Sequence, residues 1–220
     1  MKLSDFPDEI ILKVFASLDI KDLLNCGQVS KRFRNISHDE FLWQKIDLSG
    51  QNVSAPFILF ILDRGCKYLD LSNSHSLDLI SIQNIFNNCV QLTELNLVRS
   101  KNSTKESFFS CESLSPQLKK VNIGILYKED PDEHIKIVVE QCNQLKELHL
   151  KYYVHISDTA LTSITEELKN AQYLDTLDLH LYSREKISCS NLLHLPGVTK
   201  IRNLKIISKA LIIRTKSLQD

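Results

Sequence analysis

The side chains with chemistry to offer in this chain are seven histidines and six cysteines. His149 and His180 each fall inside a string of alternating apolar residues, and Asp178 lies two residues before His180. Two imidazoles and a carboxylate side by side could ligate a metal or serve as a general base. Their setting argues otherwise, because alternate positions of a strand form a shallow open face, which does not exclude water as a catalytic pocket does. The sequence has no H-E-x-x-H and no G-x-S-x-G, and with 5 glycines it holds no glycine-rich phosphate loop. The cysteines (Cys26, Cys66, Cys89, Cys111, Cys142 and Cys189) form no C-x-x-C. Cys66, Cys89 and Cys142 each close a helical stretch, where a thiol acts as a small buried hydrophobe. No metal, no cofactor and no catalytic activity are expected.

Composition narrows the class. The 220 residues carry 27 Lys+Arg against 27 Asp+Glu, a formal net charge of zero. That balance does not point to nucleic acid, whose binders show a basic excess. With 34 Leu and 22 Ile the chain has ample material for an aliphatic core. The longest apolar run, residues 55–62, is too short for the roughly 20 residues a bilayer needs, so no membrane partner is expected. Asp5, Asp8 and Glu9 stand where a secretory signal would be apolar, so reduced thiols and a cytoplasmic or nuclear location are expected.

The elements that must position these side chains come from an internal repeat. Cys89-Val-Gln-Leu92-Thr-Glu-Leu95-Asn-Leu97 and Cys142-Asn-Gln-Leu145-Lys-Glu-Leu148-His-Leu150 share the string C-x-x-L-x-x-L-x-L. Shorter copies are Leu118-x-x-Val121-x-Ile123, Leu174-x-x-Leu177-x-Leu179, Ile201-x-x-Leu204-x-Ile206, Leu69-Asp-Leu71 and Trp43-x-x-Ile46-x-Leu48. Their last apolar residues fall at 48, 71, 97, 123, 150, 179 and 206, steps of 23 to 29 residues. This is the period of leucine-rich repeats. Each L-x-L predicts a short strand, and helical stretches are expected before Cys89 (Ile80 to Phe86), before Cys142 (Ile135 to Val139) and over Leu161, Ile164 and Leu168. Such units cannot bury an apolar side alone, so they must stack. The expected fold is an α/β solenoid, a leucine-rich-repeat arc with parallel strands on its concave face.

In x-L-x-L-x the leucines point inward and the x residues outward. The middle positions are Asp47, Asp70, Asn96, Asn122, His149, Asp178 and Lys205. On one side of them stand Lys45, Tyr68, Glu94, Lys120, Glu147, Thr176 and Asn203, and on the other Ser49, Ser72, Val98, Gly124, Lys151, His180 and Ile207. Three polar ladders are expected, with Tyr68, Asp70, Asn96, Asn122, His149, Asp178 and His180 as contacts for a protein substrate. The Ser/Thr-rich stretch 99–116 reads as a loose connection, the acidic knot 129–133 as a solvated loop, and the basic stretch 184–220 as a solvated last repeat.

Residues 5–43 do not follow the repeat. Pro7 with Asp8 and Glu9 suits a helix start, followed by an apolar face of Ile10, Ile11, Val14, Phe15 and Leu18. Asp19 can cap a second helix bearing Leu23 and Leu24; Val29, Phe33 and Ile36 mark a third. Three such helices carry more apolar side chains than they can bury among themselves, which marks an interface. Trp43 is expected at the junction with the first repeat.

Phe6-Pro-Asp-Glu-Ile-Ile, then Asp19-Ile-Lys-Asp-Leu-Leu24, then Gln28-Val-Ser-Lys-Arg-Phe-Arg-Asn-Ile36 and Leu42-Trp43 resembles the F-box pattern L-P-x-E, L-x-x-x-D-L, V-C-K-R-W and L-W without a gap. Phe6, Ser30 and Phe33 replace the usual Leu, Cys and Trp. The chain thus resembles the F-box/leucine-rich-repeat family, with an F-box at 1–43 and about six or seven repeats at 44–220. The resemblance implies a non-catalytic substrate receptor of an SCF-type cullin–RING ubiquitin ligase, its F-box docked on the adaptor subunit and through it on a cullin. The adaptor-binding positions it implies are Phe6, Pro7, Glu9, Ile10, Ile11, Phe15, Leu18, Leu23, Leu24, Val29 and Phe33. An F-box scaffold or competitor that binds the adaptor without delivering substrate is the alternative.

Overall fold

The computed structural model describes residues 2–74, 90–98, 114–125, 138–155, 162, 166–182, 201–207 and 212–216, with backbone alone at 125, 152–155, 181–182 and 212–216. Cys89, Cys111, Cys189, the expected helical residues 80–86, 135–137, 161 and 164, most of the 99–116 stretch, the acidic knot and most of the basic C-terminal stretch lie outside the described residues.

Four helices open the chain: α1 Asp8–Phe15, α2 Ile20–Val29, α3 Lys31–Ser37 and α4 Glu40–Trp43. Their starts are capped as the residue types dictate. Pro7 precedes α1 with φ −59°, and Asp8 and Glu9 fill its first turn. The Asp19 carboxylate accepts the Asp22 N–H at 2.8 Å, the Ser30 hydroxyl accepts the Phe33 N–H at 3.1 Å, and the Asp39 carboxylate accepts the Phe41 N–H at 2.9 Å. α2 and α3 approach closely at Gly27, where an added Cβ would lie 2.6 Å from the Ser37 hydroxyl. α1 turns Ile11 and Phe15 inward, α2 Leu23, and α3 Phe33 and Ile36. The Phe15 and Phe33 rings meet edge to face at 5.4 Å. The short α4 was not among the three expected helices; its Trp43 is fully buried at the junction.

The rest is a mixed α/β arrangement built on one eight-stranded sheet in chain order. Its strands are β1 Lys45–Asp47, β2 Tyr68–Asp70, β3 Glu94–Leu97, β4 Lys120–Ile125, β5 Glu147–His155, β6 Thr176–Tyr182, β7 Asn203–Ile207 and β8 Ile212–Lys216. The first seven run parallel. Their register joins Ile46, Leu69, Leu95, Val121, Leu148, Leu177 and Leu204 in one row. These and the second apolar residue of each L-x-L are at most 2 % exposed. Each buried aliphatic of this size contributes roughly 1.5–3 kcal/mol. Just before the strands, Thr93 N–H donates to Lys67 C=O, Lys119 N–H to Thr93 C=O, Lys146 N–H to Lys119 C=O, and Asp175 N–H to Lys146 C=O, each at 2.8–2.9 Å. Equivalent positions in successive units therefore bond to one another.

Helix α5, Ala55–Leu62, fills the first connection and buries Ile58, Ile61 and Leu62. Gly65, at φ +78°, turns the chain from α5 towards β2. The end of the sheet departs from the repeat pattern. β8 pairs antiparallel with β7. Only residues 208–211 separate the two strands, and a parallel crossover needs about a dozen. Helices and strands share one apolar core running from Ile11 to Ile206. No helix among the described residues is long and apolar enough to cross a membrane.

Candidate functional site

Two surfaces stand out. The first is the outer side of the helical bundle. In α1, Ile11 and Phe15 are at most 1 % exposed while their neighbours Ile10 and Val14 are about 40 % exposed, so adjacent residues of one helix face core and solvent. Val29, at the end of α2, is 71 % exposed. Arg32 on α3 fastens this surface: its guanidinium donates to Asp8 Oδ1 at 2.8 Å, to the Ser4 carbonyl at 2.7 Å and to the Phe6 carbonyl at 2.6 Å. The lead-in to α1 is thereby held against α3.

Of the residues expected to meet an adaptor, Pro7, Glu9, Ile10 and Val29 are exposed, and Phe6, Leu18 and Leu24 are half-buried. Ile11, Phe15, Leu23 and Phe33 are buried in the core of the chain. The physical reason is that four short helices plus the first strand and α5 supply one another with enough apolar surface to enclose these four. Trp43 closes that enclosure: it is fully buried, stacks edge to face on Phe60 at 5.2 Å, and lies beneath the Arg64 guanidinium, which sits 3.3 Å above the Phe60 ring.

The second surface is the polar face of the sheet. The first two expected ladders run through β1–β7, Tyr68 pairing with Glu94, Asn122 with His149 and His149 with Asp178, while the third is paired only from Gly124 through Lys151 and His180 to Ile207, Ser49, Ser72 and Val98 lying beyond their strands. At the β1–β3 end, Asp70 is nearly buried and spent on the protein itself. Its carboxylate accepts the Asn96 amide at 2.7 Å, the Ser72 N–H at 2.8 Å and the Tyr68 hydroxyl at 3.4 Å. Burial, and the nearby Asp70 and Asp47 carboxylates, raise the Tyr68 phenol above its usual range. Lys45 lies over the Tyr68 ring at 5.2 Å.

At the β4–β7 end the side chains form an ion cluster. Asp178 stands at its centre, with Lys205 Nζ 3.3 Å and His149 Nδ1 3.5 Å from Oδ2, and His180 Nε2 3.1 Å from Oδ1. Glu147 extends it, 3.5 Å from His149 Nε2 and 2.8 Å from Lys120 Nζ. Lys120 is the main reason the Glu147 carboxyl lies below its usual range. Burial holds the His180 imidazole below its usual range; Asp178 opposes this, and Lys205 and Lys151 add to it. The sequence places all seven on the outer ladders and singles out His149, Asp178 and His180 as contacts, leaving Lys120, Glu147, Lys151 and Lys205 as ladder positions alone. Opposite charges at equal ladder positions, Lys120 beside Glu147 and Asp178 beside Lys205, were the available signal. No metal-holding group of three or more His, Cys, Asp or Glu exists among the described residues. Cys66 is buried, donates to the Tyr68 carbonyl at 3.1 Å, and has its thiol pushed up to about 12, mainly by burial. It behaves as packing.

Residues 3–49 match the family model described as F-box-like. Over 44 residues, 20 % of this chain, the sequence is 46 % identical to the "Ubiquitin ligase complex F-box protein UFO1" of Saccharomyces cerevisiae. It is 48 % identical over 40 residues to "F-box only protein 15" of Macaca fascicularis and 46 % identical over 41 residues to its Homo sapiens counterpart. The matched part spans 7–9 % of the length of these relatives. Among solved structures, that of the leiomodin-1 actin-binding site 2 aligns over 74 % of this chain and 82 % of its own, at 12 % identity and a TM-score of 0.40. An F-box-like domain, homologous to those of F-box proteins, therefore opens this chain.

Proposed function

We propose that the chain is the substrate-recognition subunit of an SCF-type cullin–RING ubiquitin ligase. Its F-box, residues 1–43, docks on the adaptor subunit and through it on a cullin. Residues 44–220 form leucine-rich repeats whose polar sheet face holds the substrate. The subunit itself carries out no catalysis. The observation that carries this reading is the F-box-like match over 3–49 together with solvent-facing Ile10, Val14 and Val29 on a bundle whose core is already filled. Exposed apolar side chains beside Pro7 and Glu9 are a surface in want of a partner. The strand period of 23 to 29 residues and the bonding between equivalent positions support the repeat assignment.

The test is capture of the adaptor. The chain is expected to co-purify with it, and the double substitution Pro7→Ala, Ile10→Asp to lose it, because a charge buried without a partner costs several kcal/mol. A folded double variant that still recovers the adaptor would overturn the docking surface. Ubiquitin transfer to a captured protein by the assembled ligase separates a receptor from a scaffold or competitor.

A further inference from the structure

The charges on the polar sheet face are sorted by strand order. Over β1–β3 the ladders hold Asp47, Asp70 and Glu94 against Lys45. Over β4–β7 they hold Lys120, Lys151 and Lys205 against Glu147 and Asp178, with His149 and His180 between them. β8 continues the sheet by its backbone, with Arg214 the register partner of Lys205 and Lys216 that of Asn203. Like charges directly opposite each other on neighbouring strands are unfavourable. Asp178 is shared among Lys205, His149 and His180, all within 3.5 Å, and Glu147 is engaged by Lys120 at 2.8 Å. Lys151, the partner of His180, makes no ion pair among the described residues.

We propose that the β4–β7 end of this face, with three lysines against two carboxylates, binds an acidic segment of a protein partner, with Lys151, His180 and Lys205 meeting its anionic side chains. This rests on the reading that the polar face holds the substrate, and names the substrate's chemistry. The charge complementarity is local: the chain as a whole has no basic excess of the kind nucleic acid requires, and the acidic β1–β3 end would repel a continuous polyanion. A short run of carboxylates or phosphates, laid across β4–β7 and ending before β3, fits the sorted charges.

A second signature follows from His180. The charged or titratable groups facing it are Lys151 and His149 from β5, Asp178 on its own strand and Lys205 from β7; His155 lies further along β5, at the register position of Tyr182. An entering anion favours the imidazolium, so binding takes up a proton and tightens as pH falls towards and below the usual histidine value of 6.5.

The experiment is fluorescence anisotropy on the full chain with a labelled Glu/Ser peptide at low ionic strength. Three further probes accompany it: the same peptide with Gln for Glu, one with phosphoserine for Glu, and a single-stranded RNA of equal length. The Glu peptide is expected to bind, the Gln peptide not. Lys151→Gln and His180→Gln are each expected to weaken binding about three- to tenfold, whereas Lys45→Gln, at the acidic end, leaves it unchanged. His180→Gln also flattens the pH dependence. Tighter binding of the phosphoserine peptide assigns a modified substrate, and equal binding an unmodified one; both sustain the proposal. Equal binding of the Gln peptide, tighter binding of the RNA, or no loss on Lys151→Gln would overturn it. Lys151 has no ion pair to lose among the described residues, so that variant removes a charge without breaking one of their ion pairs. The two readings are also separable. A substrate captured through the adaptor that responds to Tyr68→Ala but not to Lys151→Gln overturns the acidic segment alone, and one that ignores both overturns the face as the binding surface.

Discussion

The Trp43 indole N–H donates to the Ser37 carbonyl at 2.8 Å, with the ring fully buried between the helical bundle and the first helix of the sheet layer. One side chain thus closes the C-terminal end of α3 and packs against Phe60 of α5. Trp43→Ala is expected to destabilise the chain by about 3–5 kcal/mol. Urea unfolding followed by circular dichroism measures it, and a loss below about 1 kcal/mol would show that the bundle and the sheet do not share a core.

Ile10 and Ile11 separate docking from folding on adjacent residues. Ile11→Ala should cost about 2–5 kcal/mol, because Ile11 is 0 % exposed. Ile10→Asp, on the wet side of α1, should change stability by about 0.5 kcal/mol or less while removing adaptor capture. If both variants are equally destabilised, the two faces of α1 have been confused.

Asp70→Ala leaves the Asn96 amide and the Ser72 N–H without their shared acceptor. An unsatisfied buried donor costs about 1–3 kcal/mol. The expected result is a lowered Tm with an unchanged strand content. A neutral outcome would mean that Asp70 is held for a partner rather than for the sheet.

His38 gives the stability a pH slope. Burial, with Arg64 and Arg34 nearby, holds its imidazole below the usual 6.5. A depressed histidine binds fewer protons folded than unfolded, so stability is full above about pH 6.5 and falls as pH drops from there towards the folded value. Chemical unfolding across that window should show a slope that flattens in His38→Gln. An unchanged slope would place its origin elsewhere, His180 being the next candidate by the same sign.

Cys66 should resist alkylation in the native chain, since its thiol is buried and pushed up to about 12. Peptide-level mass spectrometry after iodoacetamide at about pH 8 should find it labelled only once the chain is unfolded in urea. Native labelling on the timescale of the part-exposed Cys26 would mean that the first strands open readily.

The strand register was legible in the residues alone. Aligning the L-x-L strings already pairs Leu69 with Leu95, Val121, Leu148, Leu177 and Leu204, and a one-residue slip would have turned every leucine to water. The same alternation sets which polar side chains share the outer ladders, and the helix starts at Asp19 and Ser30 were readable because capping is a local event.

Tertiary structure decided what depends on residues distant in the chain. Ile10 and Ile11 look alike in the sequence, and only the arrival of α3 and the α5 layer made one core and the other surface. Asp70 reads as an outward ladder position, yet Asn96 from the next strand claims it. The Asp178 cluster needs His149, His180 and Lys205 brought within 3.5 Å from three strands spread over 56 residues. The β8 strand turns back because four residues cannot make a crossover, a consequence of chain reach rather than of side-chain pattern. Local periodicity reports which face of an element is apolar; what covers that face, and which charges meet on the other, follows only when the elements stack.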